Sequence, residues 1–352
     1  MKKIIIIILI LMLPINTIAI SINASSGIVM DMESERILYA KNITEDRLIA
    51  SITKIMTAVL AIESGKMDEV VKVGDEVLTM YGTNIYIELN EEILIRDLVY
   101  GLLLRSGNDA AIVLAKNIGG TVDNFVLMMN KKAKKIGMIN TIYKNPHGLD
   151  EETKNYSSAY DMAILSSYAS KLKEYQEISG TKKYKTVSSN KSYLWYNRNE
   201  LLTNYKYATG GKTGYTPKAG KTLVTTASKN NFNLTAVTLN DPNMYLNHQN
   251  LYQYIYKNYK RYLILDKNSF DIDKNIFRHN VYVKNSFYYP LDNIEKNNIK
   301  TIIKLKNKTK YINKEEVGNA IIMLNDKEIH REKIYIKVKE ESILKKILKI
   351  LK

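Results

Sequence analysis

Ser51 and Lys54 stand three residues apart in "ASITKIMTA", Ala50 to Ala58. A serine hydroxyl is a weak nucleophile until a neighbouring base takes its proton. A lysine can be that base only when burial or nearby positive charge lowers its pKa. On a helix, positions i and i+3 share one face, so the pair could act together. A helix beginning at Ser51 would also aim backbone N–H groups and positive dipole at an oxyanion formed there. The spacing alone is a weak signal: Ser-x-x-Lys occurs five times, starting at Ser51, Ser170, Ser179, Ser188 and Ser342. The alternative makes Ser51 an N-cap and Lys54 a solvated cation.

Context separates the first match from the others. Ile52, Ile55, Met56, Val59 and Leu60 follow the spacing of a buried helix face, and Gly65 ends that helix. "RSGND" places Ser106-Gly107-Asn108 between helices predicted over 96–104 and 109–118. Its alternative is an interhelical turn, where Asn tolerates left-handed geometry. "GGKTGYT" supplies Lys212-Thr213-Gly214 just before a predicted strand. Its alternative is a strand-entry turn relieved by glycine. His147 in "NPHGLD" is a second candidate base, but the flanking Pro and Gly read as a shaped loop.

The elements that must hold these residues follow from periodicity. Gly27 to Ala40 reads as two strands around a polar turn at Glu33 to Glu35. A further helix is predicted over 122–136, after Gly119-Gly120. Beyond Pro217 the period falls to two, giving two strands joined by a turn at Lys229 to Asn231. Met244 to Tyr262 reads as a Tyr-rich helix. Composition shifts near Leu263 to Asp273; "NVYV", "TIIKLK", "AIIMLN" and "KIYIKV" then predict a small all-β module.

A chain of 352 residues suits two domains and a sizeable core. Its 52 Lys and Arg against 36 Asp and Glu, a net +16, favour anionic partners without choosing among them. The absence of cysteine excludes disulfides and thiolate metal sites. Four histidines offer little for a His-rich metal site. Lys2, Lys3, the apolar run Ile4 to Leu13, Pro14, and small residues at Ala19 and Ala24 follow the layout of a secretory signal over 1–24. An uncleaved anchor is the alternative. Export argues against nucleic acid as a partner. In "ESILKKILKILK", residues 341–352, six apolar residues share an arc of roughly 160° and four lysines oppose them. That is the pattern of a helix lying on a membrane surface.

Ser51-Ile-Thr-Lys54, Ser106-Gly-Asn108 and Lys212-Thr-Gly214 together resemble the three motifs of the active-site-serine penicillin-recognising enzymes. "GIVMDMESERILYAKN", "LLLRSGNDAAIVLA", "KNPHGLDEETKNYSSAYDMA" and "GGKTGYTPKAGKTLVTTAS" look like the D-alanyl-D-alanine carboxypeptidases among low-molecular-mass penicillin-binding proteins. The likeness covers roughly Gly27 to Tyr262; "GGKTGYT" and "KTLVTTAS" also look like spore-cortex members. "EETKN" loosely resembles the deacylating segment of class A β-lactamases through Glu151 and Asn155. Lys154 stands where that family has leucine, and the flanking segments follow the carboxypeptidase pattern.

The resemblance implies an α+β penicillin-binding/β-lactamase-like transpeptidase domain, with a helical subdomain and central antiparallel sheet over 25–265. A small β-rich domain over 270–340 would follow. It implies Ser51 as nucleophile, Lys54 as general base and Ser106 as proton relay. Asn108 would orient Lys54 and the substrate amide. Lys212 and Thr213 would bind the terminal carboxylate, and Gly214 and Tyr215 would flank the substrate, with N–H groups of Ser51 and Tyr215 on the oxyanion. The implied reaction removes the terminal D-alanine from peptidoglycan stem peptides, with β-lactams as covalent inhibitors and no cofactor or metal. The implied location is outside the cytoplasm, on the outer face of the membrane or in the cell wall. A non-catalytic wall-binding protein that keeps the pocket is the competing reading.

Overall fold

The computed structural model describes residues 20–272, 279–306 and 311–338. The predicted signal up to residue 19 and the amphipathic segment 341–352 lie outside the described residues.

Five antiparallel strands make the central sheet. β1 (Ser26–Asp31) and β2 (Ile37–Lys41) form the first hairpin. β9 (Ala208–Thr216), β10 (Gly220–Lys229) and β11 (Phe232–Leu239) form a meander, and the order is β2-β1-β11-β10-β9. Every residue of β1 is buried, as expected of a central strand covered on both faces. Register pairs Val29 with Ala236 and Leu223 with Thr213. That leaves β9 at the sheet edge with Lys212-Thr213-Gly214 inside it. The sequence places this motif before a strand; the glycines that resemble a turn signal instead thin an edge strand.

One sheet face packs on α1 (Lys54–Glu63) and the helices around it: α2 (Ile95–Tyr100), α3 (Asn108–Gly119), α4 (Val122–Lys135), α5 (Ala159–Ala169) and α6 (Lys173–Gly180). Nine of the ten α1 residues are buried, Lys54 among them. A helix apolar all round in this way is a core helix. A short α7 (Leu201–Asn204) precedes β9, and α8 (Met244–Asn258) covers the opposite face through Leu251, Tyr252 and Ile255. Short pairs edge the helical part: β3 (Arg47–Leu48) with β6 (Tyr156–Ser157), β4 (Val70–Lys72) with β5 (Glu92–Leu94), and β7 (Lys183–Val187) with β8 (Ser192–Tyr196).

The helix expected over 244–262 ends at Asn258. Beyond it β12 (Lys260–Leu265) pairs with β14 (Phe287–Leu291). The alternation of "KRYLIL" was hidden by continuity with the Tyr-rich helix, and Pro290 masked β14. The C-terminal part is all-β: β13 (Asn280–Val283), β15 (Ile299–Leu305), β16 (Glu316–Leu324) and β17 (Lys327–Lys337) form a sheet of order β13-β17-β16-β15. Its core holds Val281, Val317, Ile334 and Ile336. Arg36 of β1–β2 fastens it: the guanidinium donates to Pro290 O and Glu295, and lies 4.9 Å from the Tyr289 ring centroid. The architecture is thus α+β, with a helical region on a central antiparallel sheet and an all-β C-terminal part.

Candidate active site

Ser51 does not open α1 directly. It lies in a 3₁₀ turn, Ala50–Thr53, that runs into the helix at Lys54. Ala50 takes φ of +47°, a conformation uncommon for a residue with a Cβ. The turn and helix still put Ser51 and Lys54 on one face: Lys54 Nζ is 3.0 Å from Ser51 Oγ. The same nitrogen donates to Asn108 Oδ1 at 2.7 Å and to the His147 carbonyl at 2.6 Å. Two oxygens therefore aim one buried nitrogen at the serine.

Each of those oxygens is positioned by its own segment. Asn108 begins α3, and its Nδ2 donates to Tyr81 O at 2.7 Å. Each end of this amide makes a bond within the protein: Oδ1 to Lys54 and Nδ2 to the 80s loop. The His147 carbonyl is delivered by a loop that needs Gly148. At φ of +92°, a Cβ there would sit 2.0 Å from Ala50 O. Asn155 ties the loop down, accepting from Asn145 N at 3.1 Å and donating to Thr53 Oγ1 at 3.0 Å. Asn155 is thus a buried fastener, and Glu151 of the same segment is exposed. The His147 imidazole is held neutral; burial, then repulsion from Lys54, pushes its pKa down to about 3. Its Nδ1 accepts from Leu149 N at 3.1 Å.

Burial drives the Lys54 pKa well below the ordinary lysine value. Repulsion from Lys212 and Arg198 adds to the effect, while Asp109 opposes it. Lys212 is also buried; desolvation, then Arg198, lowers it to about 7. Its Nζ donates to Thr213 O at 2.7 Å. Gly214 brings β9 against the nucleophile's turn: a Cβ there would lie 2.4 Å from Thr222 Oγ1 and 2.9 Å from Ser51 N. Only a residue without a side chain allows that approach.

Ser51, Ser106, Thr213, Gly214 and Tyr215 line one open cleft of about 710 Å³. Ser106 has φ of +69° where the one-turn π-helix Gly101–Arg105 ends. Tyr215 is 64% exposed at the mouth. Lys54, Asn108 and Lys212 lie beneath this surface. All eight residues singled out in the sequence thus belong to one neighbourhood. Sequence reasoning missed Arg198, which shares the cleft with Ser51. Its carbonyl accepts from Tyr245 OH at 2.8 Å and its N–H donates to Leu104 O at 3.2 Å. A single Arg in "YNRNE" carries no motif that could have flagged it. It missed the His147 carbonyl too, because a backbone oxygen leaves no mark in residue type.

Residues 14–243 match the family model described as D-alanyl-D-alanine carboxypeptidase, and residues 273–342 match the C-terminal domain of penicillin-binding protein 5. The chain is 38% identical over 220 residues to D-alanyl-D-alanine carboxypeptidase DacF of Bacillus subtilis, covering 61% of this chain and 56% of that protein. It is 35% identical over 235 residues to DacA of Haemophilus influenzae, covering 63% and 58%. The matched stretch spans less than three-fifths of the length of these relatives. Among solved structures, penicillin-binding protein 5 of Haemophilus influenzae superposes with a TM-score of 0.78 at 28% identity, over 91% of this chain and 98% of that one.

Proposed function

The chain belongs to the D-alanyl-D-alanine carboxypeptidase family, and from that premise we propose that it removes the terminal D-alanine from peptidoglycan stem peptides through an acyl-enzyme on Ser51. The observation that carries the reading is Lys54 Nζ, 3.0 Å from Ser51 Oγ and fixed by two further oxygens. Neutral Lys54 takes the hydroxyl proton as Oγ attacks the carbonyl of the penultimate D-alanine. N–H groups of Ser51 and Tyr215 hold the oxyanion. Ser106 relays a proton to the departing amine, and water then releases the shortened peptide. Asn108 keeps Lys54 aligned. Lys212 and Thr213, with Gly214 closing the strand against Ser51, receive the terminal carboxylate. β-Lactams acylate the same serine. In this reading residues 25–265 form the catalytic domain and 270–340 a small β-rich domain.

The direct test is release of D-alanine from a pentapeptide ending in D-Ala-D-Ala. Release above background is expected, and an amidated terminus should be a poor substrate. A chain that binds the peptide without releasing D-alanine is a wall-binding protein instead.

The preference for free acid over amide should depend on pH. Lys212 attracts the carboxylate only while protonated, and its pKa is lowered to about 7. As pH rises through that value the charge is lost, about tenfold in charged fraction per unit beyond it. The ratio of kcat/KM for acid over amide should therefore fall between pH 6 and 9. Lys54 acts in the opposite sense, since raising the pH leaves more of it neutral for both substrates. A ratio constant over this range would move carboxylate recognition from Lys212 to Arg198.

The tail, 341–352, is assigned to the outer face of the cytoplasmic membrane. Twelve residues reach about 18 Å as a helix, short of a ~30 Å hydrocarbon core. Among the described residues no single helix is long and apolar enough to cross a membrane. Deleting 341–352 should abolish co-sedimentation with anionic vesicles and leave turnover of a soluble peptide unchanged. Equal binding with and without the tail would place the membrane contact elsewhere.

A further inference from the structure

A second cleft, about 820 Å³, opens between α5, α6 and the far end of β9 and β10. It is larger than the cleft at Ser51 and shares no lining residue with it. Hydroxyl and amide groups dominate: Ser167, Ser179, Thr209, Thr226, Gln176 and Asn233. Two of the spare Ser-x-x-Lys segments converge here, since Ser170, Lys173 and Ser179 all line it.

Its floor is built rather than incidental. Ser167 is 2% exposed, and its Oγ has no hydrogen-bond partner, an uncommon state for a buried polar atom. Thr209 Oγ1 and Thr226 Oγ1 pair at 2.7 Å. Gly210 leaves open the space between them and α6: a Cβ there would meet Ser179 Oγ at 2.5 Å and Thr226 Oγ1 at 3.4 Å.

We propose that this cleft binds a neutral sugar chain. The rim sets Lys171 and Lys173 against Glu33 and Glu177, so no net charge selects an ion. Glu33 is further neutralised by Arg261. Met32 and Ala227 are the apolar side chains of the lining, beside the methyl and methylene carbons of its Thr, Lys and Gln residues, which suit the apolar faces of a sugar ring. Hydroxyls and amides that both donate and accept match a ligand with the same dual character. The cleft also lies on the strand that carries Thr213 and Gly214. Gly214 lies five residue steps beyond Thr209, about 17 Å at ~3.3 Å per step. A polymer held there would keep its attached groups within reach of Ser51. The binding itself does not rest on the Ser51 chemistry.

The test is calorimetric titration of the full chain with chitotetraose, the tetramer of N-acetylglucosamine. Saturable binding is expected, unchanged in Ser51→Ala. A Thr209→Val/Gln176→Ala double variant removes two exposed hydrogen-bonding side chains, together with the Thr209–Thr226 hydroxyl pair and the Gln176 bond to Ser170 O, and a melting curve checks that it stays folded. It should bind about tenfold more weakly while keeping wild-type β-lactam capture. No saturation up to about 10 mM, undiminished binding by the double variant, or loss of binding in Ser51→Ala would each overturn the proposal. Because heat of binding is read rather than turnover, failure here leaves the carboxypeptidase reading standing, and the converse also holds.

Discussion

Ser51→Ala should remove covalent capture of a β-lactam completely. Intact-mass analysis of the wild-type chain with penicillin should show one added drug mass, mapped to Ser51, and the variant should show none. Turnover of a D-Ala-D-Ala peptide should fall by many orders of magnitude, on the order of 10⁶-fold for loss of a serine nucleophile. The expectation rests on position. Ser106 and Thr213 also offer hydroxyls to the cleft, but the buried amine of Lys54 donates to Ser51. The deletion should cost little stability, because Lys54 keeps Asn108 Oδ1 and the His147 carbonyl as acceptors. An adduct on Ser106, or one persisting in Ser51→Ala, would refute the assignment.

Lys54→Ala should lower the acylation rate by roughly 10²–10⁴-fold or more, the range for loss of a general base. A structural role could mimic this, because Lys54 joins α1, α3 and the 145–149 loop. Lys54→Arg separates the two explanations. Arginine can restore donors to Asn108 and His147 but stays protonated, so it cannot accept the serine proton. If Lys54 is the base, both variants should melt cooperatively as folded proteins and both should acylate slowly. Recovery of rate in Lys54→Arg would make the lysine a positioning residue. Near-normal acylation by Lys54→Ala would require another base. His147 is poorly suited, with its pKa pushed down to about 3 and Nδ1 already accepting from Leu149 N.

Much of the positioning frame was readable in order along the chain. The apolar spacing after Ser51 identifies a buried helix because 3.6-residue periodicity is a local property. The period-two run after Pro217 identifies β10 and β11 for the same reason. The boundaries failed where local signals conflict. Gly210, Gly211 and Gly214 read as turn residues, yet they sit inside β9. They are small because α6, β10 and the Ser51 turn press on that strand; β10 follows it in the chain, but α6 and the Ser51 turn are brought to it only by the fold.

By itself the sequence determined which side chains could do chemistry and which could share a helix face. Ser51 and Lys54 are three residues apart, so local geometry alone brings them within reach. Tertiary structure decided everything that spans longer separations. Lys54 reaches Asn108 across 54 residues and His147 O across 93. The pKa of Lys54 follows from burial and from Lys212 and Arg198, which approach only when the sheet closes on the helices. Arg198 became a cleft residue by the same closure. Residue types travel with the chain, but desolvation and close approach exist only after packing; they turn an ordinary lysine into a candidate base.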